Sequence, residues 1–387
     1  MTKTVTIIGG CGHVGIPLGL TLAECTQNVY LLDVNQKAVD TINAGKLPFL
    51  EEDADAILIK AIGKNLNATT DPKVLLKSHV VVFVTGTPVD EHHNPRVHDV
   101  LKVIQFYQEY LNPKQLIVLR STVYPGVNEI IHNLLSKKMG SCKLAFCPER
   151  ILQGKGIEEI YQLPQIVSGS SEEAENEASD LFGLIAPKIL KLKPIEAEIA
   201  KLMTNTWRYL EFAIANQFYM MTESQGLDFY KIYGALKEDY PRAKHFAKPG
   251  LAAGPCLFKD TMQLSAFHKN NFFMGQSAML VNEGLPVFLA DQLEKKMDGL
   301  KNKKVAILGM TFKANNDDIR ESLAFKLKKV LEMKMADVIC SDEFLGNTTP
   351  LNQALETAEG FILGVPHEKY LSLKINRPFV DCWGVWK

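Results

Sequence analysis

The chain has 387 residues, 46% of them hydrophobic and 22% charged, with a formal net charge of −1. This length predicts two or three well-packed domains, and the near-neutral charge excludes a general attraction to nucleic acid or membranes. The sequence contains no run of eighteen or more apolar residues, so we predict no membrane span. The seven cysteines form no CxxC pair, which favours reduced thiols in the cytoplasm over a disulfide framework.

The first half of the chain alternates apolar runs with amphipathic stretches. The runs TVTIIGG, VYLLDV, VVVFVTG, QLIVLRST and KLAFCPER each predict a buried strand that ends in a polar turn. Continuous Val, Ile and Leu runs separated by helical patterns are typical of a parallel sheet covered on both faces. The first run reads as a strand rather than a secretion signal. We therefore predict a Rossmann-like domain over residues 1–193.

The pattern changes at Pro194, where apolar residues follow helical spacing for about thirty residues. Such length predicts a spine helix and a contact between two copies in a dimer. Further on, KKVAILGMTFKANNDD and ADVICSDEF repeat the strand-to-turn patterns of the N-terminus. We predict an α/β protein with a central helical domain over 194–298 and a smaller Rossmann-like domain over 299–387.

The stretch IIGGCGHVG has Gly10, Gly12 and Gly15 in GxGxxG spacing, directly after a strand and before a helix. This arrangement favours a pyrophosphate at the helix N-terminus. Asp33 ends the second strand, eighteen residues after Gly15, where a carboxylate would accept hydrogen bonds from a ribose and repel a 2′-phosphate. NAD is therefore predicted over NADP, and the predicted cofactor turn comprises Gly10, Cys11, Gly12, His13, Val14 and Gly15.

Three further loops follow predicted strands of the same sheet. VTGTPVD carries Thr87, RSTVYPG carries Thr122 and CPER carries Glu149. Because ligands of doubly wound sheets bind at the carboxyl ends of the strands, we expect these loops to converge on one crevice. Cys11 and Cys147 are interpreted as small filling residues.

The stretch GLAAGPCLFKD places Cys256 after a nearly side-chain-free loop and close to Lys259 and Asp260. A nucleophilic thiol needs access for a substrate and a nearby cation. A cysteine that packs as a small hydrophobe is the alternative. The residues around Cys256 leave both interpretations open.

The predicted spine helix carries Lys201 and Asn205 on one face, four residues apart. A solvated polar stripe is the alternative, but the neighbours Ile199, Leu202 and Met203 are apolar. A buried amine and amide need polar partners, and a catalytic cleft would supply them.

Seven motifs together resemble those of the UDP-glucose/GDP-mannose dehydrogenase family. They are GGCGHVG, VTGTPVD, RSTVYPG, CPER, AKLMTNTWR, AAGPCLFKD and GMTFKANNDDIRES, which occur in the family's order over nearly the whole chain. The resemblance implies oxidation of the C6 hydroxymethyl of a nucleotide sugar to a carboxylate, with two NAD molecules and no metal.

The resemblance also implies roles for individual residues. Cys256 matches the nucleophile, which would form a thiohemiacetal and then a thioester. Glu149 matches the general base for the hydrolytic water, and Lys201 matches the group that stabilises an oxyanion. The residues that match positions holding the substrate hydroxyl and the water are Asn205, Asp260 and Thr122.

Ligand contacts are implied in the same way. Thr87, Thr122, Lys259 and Arg320 match cofactor contacts. Arg242 matches an arginine supplied by a neighbouring subunit, so a homodimer or larger homo-oligomer is expected. The predicted substrate-binding set comprises Glu149, Arg150, Lys201, Asn205, Arg242, Gly250, Phe312 and Lys313, with Lys313 at the nucleotide half.

The chain departs from many family members at Ala252 and Ala253, before the cysteine, and at Trp383, where several relatives have an arginine. These changes leave UDP-glucose, UDP-N-acetylhexosamines and GDP-mannose open as substrates. The stretch DEHHNPRVH, with its three histidines, is interpreted as a polar loop rather than a metal site.

Three other functions agree less well with the sequence. A two-electron β-hydroxyacid dehydrogenase would need neither Cys256 nor a second α/β domain. A non-catalytic NAD-binding regulatory protein would be favoured by loss of Cys256, Lys201 or Glu149, and all three are present. An epimerase usually employs a Tyr/Lys pair near YxxxK spacing, and none stands out.

Overall fold

The computed structural model describes residues 2–25, 27–251 and 254–386, so Ala252 and Ala253 lie outside the described residues. The chain divides into two compact units, Met1–Met203 and Thr204–Lys387. The domain boundaries expected from the sequence, at residues 193 and 298, stay predictions. No helix in the described ranges is both long and apolar enough to cross a membrane.

The strands of the first unit form one sheet in the order β3-β2-β1-β4-β5-β6-β7-β8. Strands β1 to β6 pair in parallel, β7 is antiparallel to β6, and β8 is parallel to β7. The Rossmann-like sheet is therefore confirmed, with an antiparallel addition at one side. The strands are β1 (Thr4–Ile8), β2 (Asn28–Leu32), β3 (Leu66–Thr69), β4 (Val80–Phe83), β5 (Leu116–Leu119), β6 (Lys143–Phe146), β7 (Gln165–Gly169) and β8 (Ile189–Lys191).

Helices cover both faces of this sheet. Successive strand residues point to opposite faces, and accordingly Ile7 and Val82 belong to one core cluster while Ile8 and Val81 belong to another. This explains why the strands are continuous apolar runs. The helices are α1 (Gly15–Glu24), α2 (Gln36–Asn43), α3 (Ala54–Ala61), α4 (Val97–Tyr107), α5 (Val127–Met139), α6 (Gly156–Gln162) and α7 (Glu172–Phe182).

The predicted spine is the helix α8 (Pro194–Ser224), 31 residues long. Its first turns belong to the first unit, where Ala197 packs into the core. Further along, Tyr209 is fully buried in a cluster of the second unit. Of the apolar neighbours of Lys201, Leu202 is fully buried, whereas Met203 is 55% exposed.

The second unit adds helices α9 to α13 and a smaller parallel sheet in the order β10-β9-β11-β12. The repeated strand-to-turn pattern in the sequence corresponds to β9 and β10. The helices are α9 (Phe229–Lys237), α10 (Leu257–Phe267), α11 (Phe273–Met297), α12 (Leu323–Met333) and α13 (Leu351–Thr357). The strands are β9 (Lys304–Leu308), β10 (Asp337–Ser341), β11 (Gly360–Leu363) and β12 (Phe379–Val380).

Candidate active site

The glycine turn between β1 and α1 has two kinds of glycine. A Cβ at Gly10 would lie 2.6 Å from the carbonyl oxygen of Ile7, and one at Gly15 would lie 2.5 Å from the carbonyl oxygen of Gly10. A Cβ at Gly12 would have no neighbour closer than 3.6 Å. Gly10 and Gly15 are therefore required by packing, whereas Gly12 leaves the backbone open to a ligand. This fits the approach of a pyrophosphate to the N-terminus of α1.

Asp33, just after β2, lies against the glycine turn. Its Oδ2 accepts a hydrogen bond from the backbone N–H of Cys11 (3.1 Å), and its Oδ1 accepts one from the N–H of Asn35 (3.0 Å). The carboxylate is only partly buried, which leaves lone pairs for a ribose hydroxyl. The predicted pairing of turn and acid is thus present in the structure.

The side chains of the glycine turn are used in packing. Burial, together with the charge of Asp33, raises the pKa of the Cys11 thiol to about 12. The imidazole ring of His13 packs on Phe49, with 3.8 Å between the ring centroids. Val14 is the N-cap residue of α1. Cys11 therefore stays a neutral thiol, in keeping with its interpretation as a filling residue.

The loops after β4, β5 and β6 are tied together at the carboxyl edge of the sheet. Ser121 Oγ donates to the carbonyl of Thr85 (2.6 Å), which joins the first two loops. The buried guanidinium of Arg120 donates to the carbonyl of Cys147 (3.3 Å), which joins the last two. Because these strands are parallel and adjacent, their ends meet at one edge, as predicted. The predicted site residues of these loops, all partly exposed, are Thr87, Thr122 and Glu149.

The loop that carries Glu149 is fastened by a residue that the sequence analysis missed. Glu51 is buried, and its carboxylate accepts the backbone N–H groups of Gly154 (3.0 Å) and Gly156 (2.5 Å). Glu149 itself accepts the N–H of Ile151. Arg150, predicted to contact substrate, donates to the carbonyl of Pro164, so its guanidinium is engaged within the protein.

Lys201 lies on α8 with its side chain buried, at 5% exposure. Among the residues that the structure describes, no carboxylate forms an ion pair with its amine. One turn earlier, Glu198 accepts the N–H groups of Gly126 (2.7 Å) and Asn128 (2.8 Å) at the start of α5. Glu198 thus holds the end of the RSTVYPG loop against α8. The signal in the sequence was an acidic residue within the apolar pattern of the helix.

Cys256 is exposed and stands at the N-terminus of α10. Within the first turn of that helix, the Lys259 ammonium lies 3.0 Å from Oδ1 of Asp260. The other carboxylate oxygen of Asp260 accepts a hydrogen bond from Nδ2 of Asn205 (2.6 Å), on α8. Helix N-termini and nearby cations favour a thiolate. Cys147 is buried, and burial raises the pKa of its thiol to about 12.

The loop after β9 carries the residues predicted to meet the cofactor and the nucleotide. The carbonyl of Lys313 accepts from Thr311 Oγ1 (2.9 Å). The guanidinium of Arg320 binds Asp318 through Nε (3.0 Å) and NH2 (2.6 Å). This pairing, more than the nearby Cys256, raises the pKa of Arg320. A Cβ at Gly254 would lie 2.7 Å from the ring of Phe312, so this loop packs against the start of the cysteine turn.

Trp383 and Arg242, both singled out in the sequence, have contacts in the structure. Trp383 packs on Gly250, where a Cβ would lie 2.3 Å from the indole ring. Arg242 is exposed, with its Nε 2.8 Å from the hydroxyl of Tyr240.

The histidine-rich loop is shaped by Asp90, which accepts the backbone N–H groups of His92 (2.9 Å) and Asn94 (2.8 Å). The bond from Asn94 is the main cause that lowers the pKa of Asp90. These contacts are those of a turn. The histidines of the stretch are His92, His93 and His98.

Three models of the UDP-glucose/GDP-mannose dehydrogenase family match the chain: the NAD binding domain at residues 3–184, the central domain at 195–283 and the UDP binding domain at 306–387. A UDP-N-acetyl-D-mannosamine dehydrogenase of Methanocaldococcus jannaschii is 30% identical over 378 residues, covering 95% of this chain and 86% of that protein. One of Pyrococcus horikoshii is 27% identical over 378 residues, covering 94% and 90%. The solved structure of a UDP-D-ManNAc dehydrogenase from Pyrococcus horikoshii matches with a TM-score of 0.92 and 25% identity, covering 99% of this chain and 96% of that one.

Proposed function

The chain belongs to the UDP-glucose/GDP-mannose dehydrogenase family, and from this premise we propose that it oxidises the C6 hydroxymethyl of a nucleotide sugar to a carboxylate through a thioester on Cys256. It is an NAD-dependent nucleotide-sugar dehydrogenase. The four-electron course and the covalent step are the proposal. The observation that carries them is the exposed Cys256 at the N-terminus of α10, with Lys259 and the buried Asp260 in the same turn.

The first oxidation removes a hydride from C6 and releases the hydroxyl proton to water, which produces an aldehyde. NAD, when bound, accepts the hydride in each of the two oxidations. Asn205 and Asp260, fixed to each other at 2.6 Å, are assigned to hold the C6 hydroxyl, and Thr122 to position water. Lys201 is assigned to stabilise the oxyanion, because a fixed cation in a buried position does this without reorganisation.

The second oxidation needs the aldehyde to be held. The thiolate of Cys256 adds to its carbon to form a thiohemiacetal as the alkoxide, and loss of a second hydride from this alkoxide forms the C=O bond of the thioester. Water, deprotonated by Glu149, then attacks the thioester, and cleavage of the C–S bond releases the carboxylate and the thiolate. A free aldehyde would otherwise escape between the two hydride transfers.

The substrate is proposed to be a UDP-N-acetylhexosamine, with UDP-glucose as the next candidate. The two curated relatives named above act, by their names, on UDP-N-acetyl-D-mannosamine. The match to the UDP binding domain over 306–387 supports the nucleotide. The loop with Phe312 and Lys313 lies in this part of the chain, and we assign it to binding of the nucleotide.

A homodimer and a cytoplasmic location are also proposed. Four large apolar side chains of α8 are exposed: Trp207 (62%), Ile214 (45%), Phe218 (44%) and Met221 (57%). Their spacing of seven, four and three residues places them on one face of the helix. A second copy would cover them. All seven cysteines are free thiols, which suits a reducing compartment.

The test is the number of NADH molecules formed per nucleotide sugar consumed, over a panel of UDP and GDP sugars. We expect two NADH per sugar from the wild-type enzyme and a loss of turnover of at least about a thousandfold in Cys256→Ser, because a hydroxyl is a far weaker nucleophile. Cys25→Ser, which changes a thiol outside the proposed site, should keep wild-type turnover. One NADH per sugar would indicate the two-electron alternative, and full activity of Cys256→Ser would contradict the covalent step.

A further inference from the structure

The CPER loop, which carries Glu149, is held by a buried glutamine that has no part in the proposed reaction. Gln165 is the first residue of β7, the strand that pairs antiparallel to β6, and it is 8% exposed. Its Nε2 donates hydrogen bonds to the carbonyls of Pro148 (3.0 Å) and Ile166 (2.7 Å). The antiparallel strand therefore supplies a side-chain donor to the loop.

The peptide unit between Pro148 and Glu149 is bound at both of its polar groups. Its carbonyl accepts from Gln165, and its N–H donates to the backbone carbonyl of Arg120 (3.3 Å). The carbonyl of Cys147, one peptide unit earlier, accepts from NH1 of Arg120 (3.3 Å). A peptide unit bound on both sides has little freedom to rotate, so these contacts set the position of the Glu149 backbone.

A buried cation fixes the orientation of the glutamine. Oε1 of Gln165 accepts a hydrogen bond from NH1 of Arg120 (2.8 Å), which is 3% exposed. If the amide of Gln165 were turned over, its NH2 group would face the guanidinium and its oxygen would face two carbonyls. One orientation alone satisfies the amide. Burial lowers the pKa of Arg120, and the negative charge of Glu149 opposes this effect, so the cation also interacts with the carboxylate of the loop.

We propose that Gln165 is a positioning residue for Glu149, which it holds through the preceding peptide unit and through Arg120. Glu149 is the proposed base for hydrolysis of the thioester, and a base must lie within hydrogen-bond reach of the water that it deprotonates. A displacement of about 1 Å costs an enzyme up to about a hundredfold in rate. The catalytic consequence rests on the proposed function. The positioning itself does not, because hydrogen exchange measures it without a substrate.

The test compares substitutions at two buried glutamines of the full chain. Gln165→Met keeps the length of the side chain and removes its polar groups, whereas Gln165→Glu keeps an acceptor for the guanidinium and loses the donor to the loop. Gln115→Met is the matched control. Gln115 is 2% exposed and precedes β5, at the edge of the sheet opposite the CPER loop. Its Nε2 likewise donates to two carbonyls, those of Leu75 (2.6 Å) and Ser78 (2.9 Å).

The first readout is hydrogen exchange at the backbone N–H groups of Glu149 and Ile151, followed by mass spectrometry in protein shown to be folded by circular dichroism. The N–H of Ile151 donates to the carboxylate of Glu149, so its exchange reports the side chain. We expect exchange at both groups to be at least about fivefold faster in the Gln165 variants and unchanged in Gln115→Met. Exchange within about 1.5-fold of wild type in a folded Gln165 variant would overturn the proposal; Gln165→Glu decides if Gln165→Met does not fold.

The second readout separates a displaced base from a general loss of stability. Hydrolysis follows both hydride transfers, so a displaced base lets the thioester accumulate. With the preferred sugar, the Gln165 variants should give a burst of about two NADH per site, retain the sugar on Cys256 in quenched protein, and have a kcat at least about tenfold below wild type. A lower kcat without the adduct, or a wild-type kcat, would contradict the catalytic role. A wild-type enzyme that oxidises no nucleotide sugar would refute the proposed function, and hydrogen exchange would then decide the positioning.

Discussion

At the scale of single residues, the glycine turn separates packing from ligand access. Gly10 is surrounded by backbone atoms, including the Cα of Leu31 at 2.7 Å from a built Cβ. Gly12 lies on the open side of the turn, where a Cβ would be 3.6 Å from its nearest neighbour, the carbonyl oxygen of Gly9. The same residue type therefore meets a packing requirement at one position and leaves the backbone open at the other, where the cofactor is proposed to approach.

Alanine substitutions at these two glycines should have different effects. Gly12→Ala should fold with a Tm within a few degrees of wild type but weaken NAD binding at least about tenfold, because the methyl group occupies the ligand's approach. Gly10→Ala should lose about 3 kcal/mol or more of stability, since the methyl group meets backbone atoms that cannot move alone. Calorimetric titration with NAD and thermal unfolding measure the two quantities. Equal losses of Tm in both variants would contradict this distinction.

At the scale of elements, one carboxylate joins α5 to α8. Glu198 is 1% exposed and accepts two N–H groups at the start of α5, where a helix has no internal acceptors for them. The same helix α8 carries Lys201 one turn later. The cap therefore fixes the RSTVYPG loop to the helix that bears a proposed catalytic amine.

Removal of this cap should destabilise the first unit. Glu198→Ala leaves two buried N–H groups without their acceptor, and we expect a loss of about 1–3 kcal/mol. Glu211→Ala, on the same helix, is the control and should change little. The comparison is made by thermal unfolding, and an unchanged Tm in Glu198→Ala would argue against the cap.

The loss should also depend on pH. Burial, the largest cause, raises the pKa of Glu198 above its ordinary value of 4.5. The native state then binds more protons than the unfolded state, so the contribution of Glu198 to stability falls as pH rises from 4.5 through the native pKa. The gap in Tm between wild type and Glu198→Ala should accordingly be larger at pH 5 than at pH 8. A gap that widens with pH would contradict the direction of the shift.

At the scale of the whole molecule, the proposed homodimer and the proposed role of Arg242 can be tested together. If Arg242 completes the site of its neighbour, mixing two inactive variants restores one intact site per mixed dimer. Cys256→Ser and Arg242→Ala, each inactive alone, should together recover up to about a quarter of wild-type activity after subunit exchange. Light scattering measures the dimer. A dimer whose mixed variants recover no activity would place Arg242 outside the neighbouring site.

The local features of this protein could be predicted from its sequence. The structure confirms the succession of β1, glycine turn and α1, with Asp33 after β2. This succession was predictable because neighbouring residues specify a strand, a turn and a helix N-terminus. The long helix α8 follows from its apolar spacing for the same reason. The family and the cofactor also followed from motifs, which the matching domain models confirm.

Tertiary structure alone decided which distant residues meet. Three contacts join residues that are 22 to 72 positions apart in the sequence. They are the antiparallel pairing of β7 with β6, the cap of α5 by Glu198, and the hydrogen bonds of Asn216 to the backbone N–H and carbonyl of Gly250. A period in the sequence tells which face of an element is buried but not which partner covers it. By itself, the sequence determined the main helices and strands and supplied candidate groups for a site. The contacts that hold these segments in place depend on long-range packing, because their hydrogen-bond partners are distant in the sequence.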